Sequence, residues 1–245
     1  RDWAEVQEGQ FKAGYDDVLA HAGVGRGTRL LDAGCGAGMA AMRAASLGAS
    51  VAGIDAAPLL LEIARERVPD GDFLEGDLEE LPFADAGFDV VTGFNAFQFA
   101  GNPTRALGEA RRVTRPGGIV AIMTWGRPEG MEAASVVGAL RPLLPPPPPG
   151  APGPFALSDP DRLSTFAAEA GLTPHKVIEG ETHWTYPDLA TAVRGLNSSG
   201  VAIRAAGIAG EAAVSAAHEA ALHPFRQPDG SLRIGARYMA LLAKA

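Results

Sequence analysis

Thr28-Arg29-Leu30-Leu31-Asp32-Ala33-Gly34-Cys35-Gly36-Ala37-Gly38 is the stretch on which the reading of this chain turns. Its apolar first half predicts a short buried parallel strand, because a strand covered on both faces carries few polar residues. The strand ends in an acid, Asp32, and three alternating glycines follow. Residues 39–47, rich in Ala and Met, then predict a helix. Strand, glycine turn and helix together make a seat for an anionic group, since the first N–H groups of a helix have no partner within it. Gly34 and Gly36 supply backbone conformations closed to other residues and let a ligand approach the main chain.

The spacing of the glycines narrows the ligand. A dinucleotide fingerprint, G-x-G-x-x-G, would need its third glycine where Met39 stands, which argues against a nicotinamide dehydrogenase. The pattern present is D-x-G-x-G-x-G, from Asp32 to Gly38. With it the chain resembles the class I S-adenosylmethionine (SAM)-dependent methyltransferases. The resemblance implies an α/β, Rossmann-like fold: a seven-stranded, mostly parallel sheet with an antiparallel last strand, helices on both faces and a helical cap. It also implies SAM as cofactor, with Asp32, Gly34, Gly36 and Gly38 around it.

Further motifs follow in order. Residues 49–55 (ASVAGID) predict a second strand ending at Asp55, about 20 residues past Gly34, where a carboxylate accepts both ribose hydroxyls. Ala56 would then lie beside the adenine. The competing role for Asp55 is to cap the helix that opens near Pro58. A helix over 59–68 and a short strand over 72–76 come next. At Gly76-Asp77-Leu78 the resemblance implies that Asp77 accepts the adenine amino group and that the Leu78 N–H reaches a ring nitrogen; the plainer reading is a solvated acidic loop. A fourth strand over 87–94 ends at Asn95, which joins the expected cofactor set. Asn102-Pro103 reads as an N-cap and first-turn proline for a helix over 104–114. Arg115-Pro116-Gly117-Gly118 reads as a tight turn into a fifth strand, 119–125. The run 109–118 is similar to that of the small-molecule methyltransferases of ubiquinone and menaquinone biosynthesis. In all, the resemblance covers residues 28–125, the heart of a core expected over 28–126.

On the amino-terminal side, Trp3, Val6, Phe11, Tyr15, Val18 and Leu19 recur at mostly helical steps and predict an amphipathic helix over 2–22, interrupted near Gly9 or Gly14. This segment, residues 1–27, is expected over the cofactor site, with Trp3 and Tyr15 beside the cofactor. Residues 127–171 are expected to hold helices, one over 131–140 and one reaching 170 from a cap at Ser158-Asp159-Pro160. Between them the proline run predicts an extended spacer over 145–154. Residues 172–245 are expected to supply the last strands, 172–186 and 232–243, with an inserted helical cap over 187–224.

Composition sets outer bounds. The 245 residues are 47% hydrophobic and 20% charged, an ordinary globular balance for one domain with a cap. A formal net charge of -8, with no basic cluster, argues against nucleic acid as a partner. Cys35 is the sole cysteine, so no intramolecular disulfide forms, and a reducing, cytoplasmic setting is expected. No apolar run approaches the ~20 residues of a membrane span, so no membrane insertion is expected. The chain begins at Arg1 instead of Met, which leaves a removed leader or a trimmed end open. No His/Cys cluster has metal-ligand spacing.

A sulfonium methyl is already activated, so a protein mainly holds nucleophile, methyl and sulfur in line. A general base is needed only for a poor nucleophile. Gln98, at the carboxyl edge of the fourth strand, and His183, on the sixth, are the expected catalytic residues; Tyr186, His218 and His223 are further acceptor-side candidates. Phe94-Asn95-Ala96-Phe97 stands where the family's base- and glutamine-N-methylating members carry an Asn/Asp-Pro-Pro-aromatic tetrapeptide. The expectation is therefore methyl transfer to O or C of a small molecule, apolar because Phe94, Phe97, Phe99 and Trp184 surround the expected mouth. Two rivals keep the fold: a cyclase or isomerase that transfers no methyl, and a non-catalytic SAM-binding module. Product mass separates the first, and absence of turnover the second. The identity of the acceptor and the oligomeric state are not legible in the sequence.

Overall fold

The structure is a computed structural model that describes residues 1–146 and 153–245, so most of the expected proline spacer lies outside the described residues. A π turn (Trp3–Gln7) and a 3-10 turn (Glu8–Phe11) lead into helix α1 (Lys12–His21). Strand and helix then alternate: β1 (Arg29–Ala33), α2 (Met39–Ser46), β2 (Ser50–Asp55), α3 (Pro58–Arg67), β3 (Asp72–Glu75), β4 (Phe88–Phe94), α4 (Pro103–Val113) and β5 (Thr114–Trp125). The remainder holds α5 (Ala133–Val137), α6 (Pro160–Glu169), β6 (Thr173–Tyr186), α7 (Leu189–Asn197), α8 (Gly200–Ala209), α9 (Glu211–Leu222) and β7 (Leu232–Lys244).

The expected seven-stranded sheet is present, in the order β3-β2-β1-β4-β5-β7-β6, and β7 alone runs against its neighbours. From β1 the chain winds outward to β2 and β3, then returns to place β4 on the other side of β1. At such a reversal two loops leave the sheet in opposite directions and open a crevice at the strands' carboxyl ends. Leu30 and Leu31, both fully buried, point to opposite faces: Leu30 packs with α2 and α3, Leu31 with α4 and α6. Burial of each contributes roughly 1.5–3 kcal/mol. This two-sided burial is why β1 reads as a continuous apolar run.

Local signals place several helix starts. Asn102 accepts the Arg105 N–H at 3.1 Å with Pro103 in the first turn, and Asp159 accepts from Asp161 and Arg162 ahead of α6.

Three expected elements differ. The leading helix is regular only from Lys12, because the chain tightens to a 3-10 turn around Gly9. Gly14 stays helical; a Cβ there would stand 2.8 Å from Met123 Sδ, so the glycine lets α1 press onto β5. The helix expected over 131–140 is regular only over Ala133–Val137, since Gly138 weakens it and Pro142 supplies no N–H. Arg115-Pro116-Gly117-Gly118 is not a turn before the strand but a bulged start of β5. The pairing slips from Phe88–Thr114 to Val90–Ile119 around it, Gly117 has φ +75, and its N–H donates to Ala245 O at 3.0 Å.

Helices α7 to α9 lie between β6 and β7 in sequence, and α7 packs on the π turn. A Cβ on Gly195 would sit 2.6 Å from Val6 Cγ1, so this glycine allows that close approach. No helix among the described residues is long and apolar enough to cross a membrane.

Candidate functional site

The glycine turn after β1 takes three left-handed steps, with φ +76 at Gly34, +54 at Gly36 and +79 at Gly38. An L side chain pays roughly 1–2 kcal/mol for that conformation. Space excludes side chains at two of them. A Cβ on Gly34 would stand 2.5 Å from Ala96 Cβ, and one on Gly38 would stand 2.8 Å from Ala64 Cβ. The Gly34 and Cys35 N–H groups both donate to Ile54 O, at 2.8 and 3.0 Å, which ties the turn to β2.

Asp55 locks the same turn from the end of β2. Its Oδ2 accepts the Gly36 N–H at 2.8 Å and its Oδ1 accepts the Ala57 N–H at 2.9 Å. Asp32, the last acid of β1, is only 1% exposed and accepts the Thr92 hydroxyl at 2.8 Å. Burial pushes its pKa up to about 7, and the charges of Glu8 and Asp55 add to the rise. Burial also drives the Cys35 thiol well above its ordinary range, which leaves it inert as a nucleophile.

The amino-terminal turns close over this cradle. Glu8, 4% exposed, accepts the Met39 N–H at 3.2 Å and forms an ion pair with Arg67. Arg67 donates as well to Ala37 O (2.8 Å) and Ala4 O (2.7 Å), clasping the leading segment to the glycine turn. Between them is a cavity of about 60 Å³ walled by Trp3, Glu8, Tyr15, Asp32, Phe94 and the Gly34–Gly36 backbone. Tyr15 packs edge-on against Phe94, centroids 4.7 Å apart. Aromatic contacts continue outward, Phe11 on Trp125 (5.1 Å) and Trp184 (5.9 Å), and Trp125 on Phe155 (6.4 Å).

The structure brings together only part of the expected set. Asp32, Gly34 and Gly36 line the cavity, and Gly38 supports the turn against α3. Asp55 reaches the rim through Gly36, and Leu78 Cδ1 lies 4.0 Å from where a Gly34 Cβ would be. Ala56 and Asp77 are exposed and line no part of the cavity; Asp77 accepts the Glu79 N–H at 2.9 Å. Asn95 has φ +51, donates its N–H to Met123 O and accepts from Gln98 Nε2 at 3.1 Å. Gln98 Oε1 is buried without a partner among the described residues.

The acceptor-side histidines fall elsewhere. Trp184 and Tyr186 point inward from β6, so His183, the residue just before Trp184, is exposed on the opposite face; His223 is exposed too. The Tyr186 hydroxyl donates to Gln7 Oε1 at 2.8 Å. His218, 3% exposed, joins α9 to α7 through Asn197 Oδ1 at 2.7 Å, and burial lowers its pKa to about 4. Its folded pKa lies below the ordinary 6.5, so the stability it contributes is present above that value and is lost as pH falls from 6.5 towards about 4. His218→Gln should therefore flatten the acid limb of a melting-temperature profile between those pH values, and an unchanged slope there counts against the buried neutral imidazole.

Sequence reasoning missed Glu8. An acid on an amphipathic helix reads as solvated, and nothing local marks it as covering residues far along the chain.

A family model described as "Methyltransferase domain" matches residues 31–122. A malonyl-[acyl-carrier protein] O-methyltransferase of Erwinia pyrifoliae is 40% identical over 124 residues, 51% of this chain and 47% of the relative. The chain thus spans less than half the length of that relative. A ubiquinone biosynthesis O-methyltransferase of Cereibacter sphaeroides is 33% identical over 172 residues, 67% of this chain and 68% of the relative. Among solved structures, the [4+2]-cyclase SpnF is similar in fold, with TM-score 0.62 and 23% identity over 95% of this chain and 80% of that one.

Proposed function

This chain belongs to the class I SAM-dependent methyltransferase family, and from that premise we infer that it moves a methyl group from SAM to an oxygen or carbon atom of a small, apolar acceptor. The observation that carries the reading is the left-handed glycine turn at the sheet's reversal, held by Asp55 and walled by Asp32, Tyr15 and Phe94. These residues fit the cofactor. Two carboxylates and two aromatic rings suit a cationic sulfonium, and the glycine backbone leaves room for close approach. SAM supplies a methyl already activated by its sulfonium.

In this reading Asp32, Gly34 and Gly36 hold the amino-acid end of the cofactor, and Asp55, Ala56, Asp77 and Leu78 follow the adenosine along the outer rim. The cavity of about 60 Å³ is far below the roughly 300 Å³ of small-molecule pockets, so the amino-terminal turns must shift to admit the cofactor. Phe11, Trp125, Phe155 and Trp184 supply an apolar wall on the acceptor side. Gln98 Oε1 orients an acceptor hydroxyl at the carboxyl edge of β4, with Asn95 fixing its amide. It orients and does not deprotonate, since an amide is no base. His183 has no part here because it faces away.

Calorimetric titration with S-adenosylhomocysteine (SAH) tests the cofactor reading. Micromolar binding is expected, with at least a tenfold loss in Asp55→Ala, in line with about 1.5–3 kcal/mol for hydrogen bonds to a charged group. No binding below millimolar rejects it. A product heavier than the acceptor by one methyl separates transfer from cyclisation or isomerisation.

A further inference from the structure

Glu8 stands out among the groups around the cavity. It comes from the amino-terminal 3-10 turn, not from the sheet edge, yet it is almost wholly buried and forms part of the cavity wall. Burying a carboxylate is costly unless it is well paired. Arg67 pairs it, but Arg67 also donates to Ala4 O and Ala37 O, so the leading segment is fastened to the glycine turn without the acid.

The charge around the cavity is one-sided. Its ionisable walls are Glu8, Asp32, the Tyr15 phenol and the Cys35 thiol, and among the described residues no basic side chain lines it. The aromatic pair Tyr15–Phe94 completes a surface suited to a cation. Glu8 Oε1 lies 3.6 Å, and Trp3 Nε1 3.7 Å, from where a Cβ on Gly36 would stand, so both hang directly over the turn.

We propose that Glu8 is a cofactor-binding residue that accepts the α-ammonium of the cofactor's amino-acid end, making the amino-terminal turns part of the binding site. The assignment rests on the cofactor reading above and adds a group from outside the sheet to it. The ligand class is an adenosyl thioether or sulfonium that carries a free amino acid. Closing the segment over the glycine turn then brings the counter-charge with it, which couples closure to recognition of that end.

Calorimetry at pH 7.5 with two ligands decides the matter. SAH carries the amino acid; 5′-methylthioadenosine keeps the adenosine and the thioether and lacks it. Glu8→Gln should bind SAH at least tenfold more weakly than the wild type and 5′-methylthioadenosine within twofold of it. The second ligand also reports that the variant has kept its fold. An SAH affinity within twofold of the wild type overturns the role of Glu8. So does an equal loss for both ligands, which marks Glu8 as a purely structural clasp. A wild type that binds neither ligand overturns the cofactor reading itself, and this assignment with it.

Discussion

Replacing Asp32 by Asn raises the melting temperature at pH 8 and weakens SAH binding at least tenfold. The carboxyl is 1% exposed and its hydrogen-bond partner, the Thr92 hydroxyl, serves an amide equally well. Its folded pKa, about 7, lies above the ordinary 3.8 of an aspartic acid. For an acid shifted this way the folded state favours the protonated form, so its contribution is fully present below 3.8 and is lost as pH rises through about 7. At pH 8 the charged group destabilises the fold by an amount on the order of 3 kcal/mol. Asn removes that term, and at roughly 2–4 °C per kcal/mol for a chain of this size the midpoint rises by about 5 °C or more. The gain shrinks as pH falls to 4. Binding moves the other way, because the amide offers no charge to the α-ammonium at the amino-acid end of SAH. Melting curves from pH 4 to 8 with matched SAH titrations check both halves. A variant less stable at pH 8 means that Asp32 is not an electrostatic burden.

Gly34→Ala should damage fold and binding together, whereas Gly36→Ala should damage binding first. Both glycines are left-handed, so each substitution costs roughly 1–2 kcal/mol in backbone strain. At Gly34 the new methyl would meet Ala96 Cβ at 2.5 Å, and overpacking adds about 1–3 kcal/mol. Ala96 begins the short turn after β4, so relief at one strand end disturbs the other, and SAH binding is lost. At Gly36 the methyl finds Glu8 Oε1 and Trp3 Nε1 at 3.6 and 3.7 Å, ordinary contacts. It therefore fills cavity space without displacing the chain. Melting midpoints of the two variants beside their SAH affinities test the distinction, and equal midpoints refute it.

Much of the architecture is legible in short windows. The strand–glycine–helix unit from β1 to α2, the Asn102-Pro103 start of α4 and the Asp159-Pro160 start of α6 all depend on residues within a few positions of one another. Backbone rules at that range leave little choice. The bulge at Pro116–Gly117 is not legible in this way, because its staple is Ala245, about half the chain away. From sequence His183 reads as an acceptor-side group, and the β6–β7 register is what turns it away. In a strand a shift of one residue exchanges the faces, and here Trp184 took the inner one.

The sequence by itself determined the fold family, the conformation of the glycine turn and the presence of carboxylates at the ends of β1 and β2, since each follows from local chain geometry and burial pattern. Tertiary structure alone decided which acids face the cavity. Glu8 became a wall of the cavity through Met39, 31 residues on, and Arg67, 59 residues on, while Asp77 kept a local partner and stayed exposed. Whether a carboxylate is buried depends on partners brought in by packing, and the spacing of residues along the chain carries no record of them.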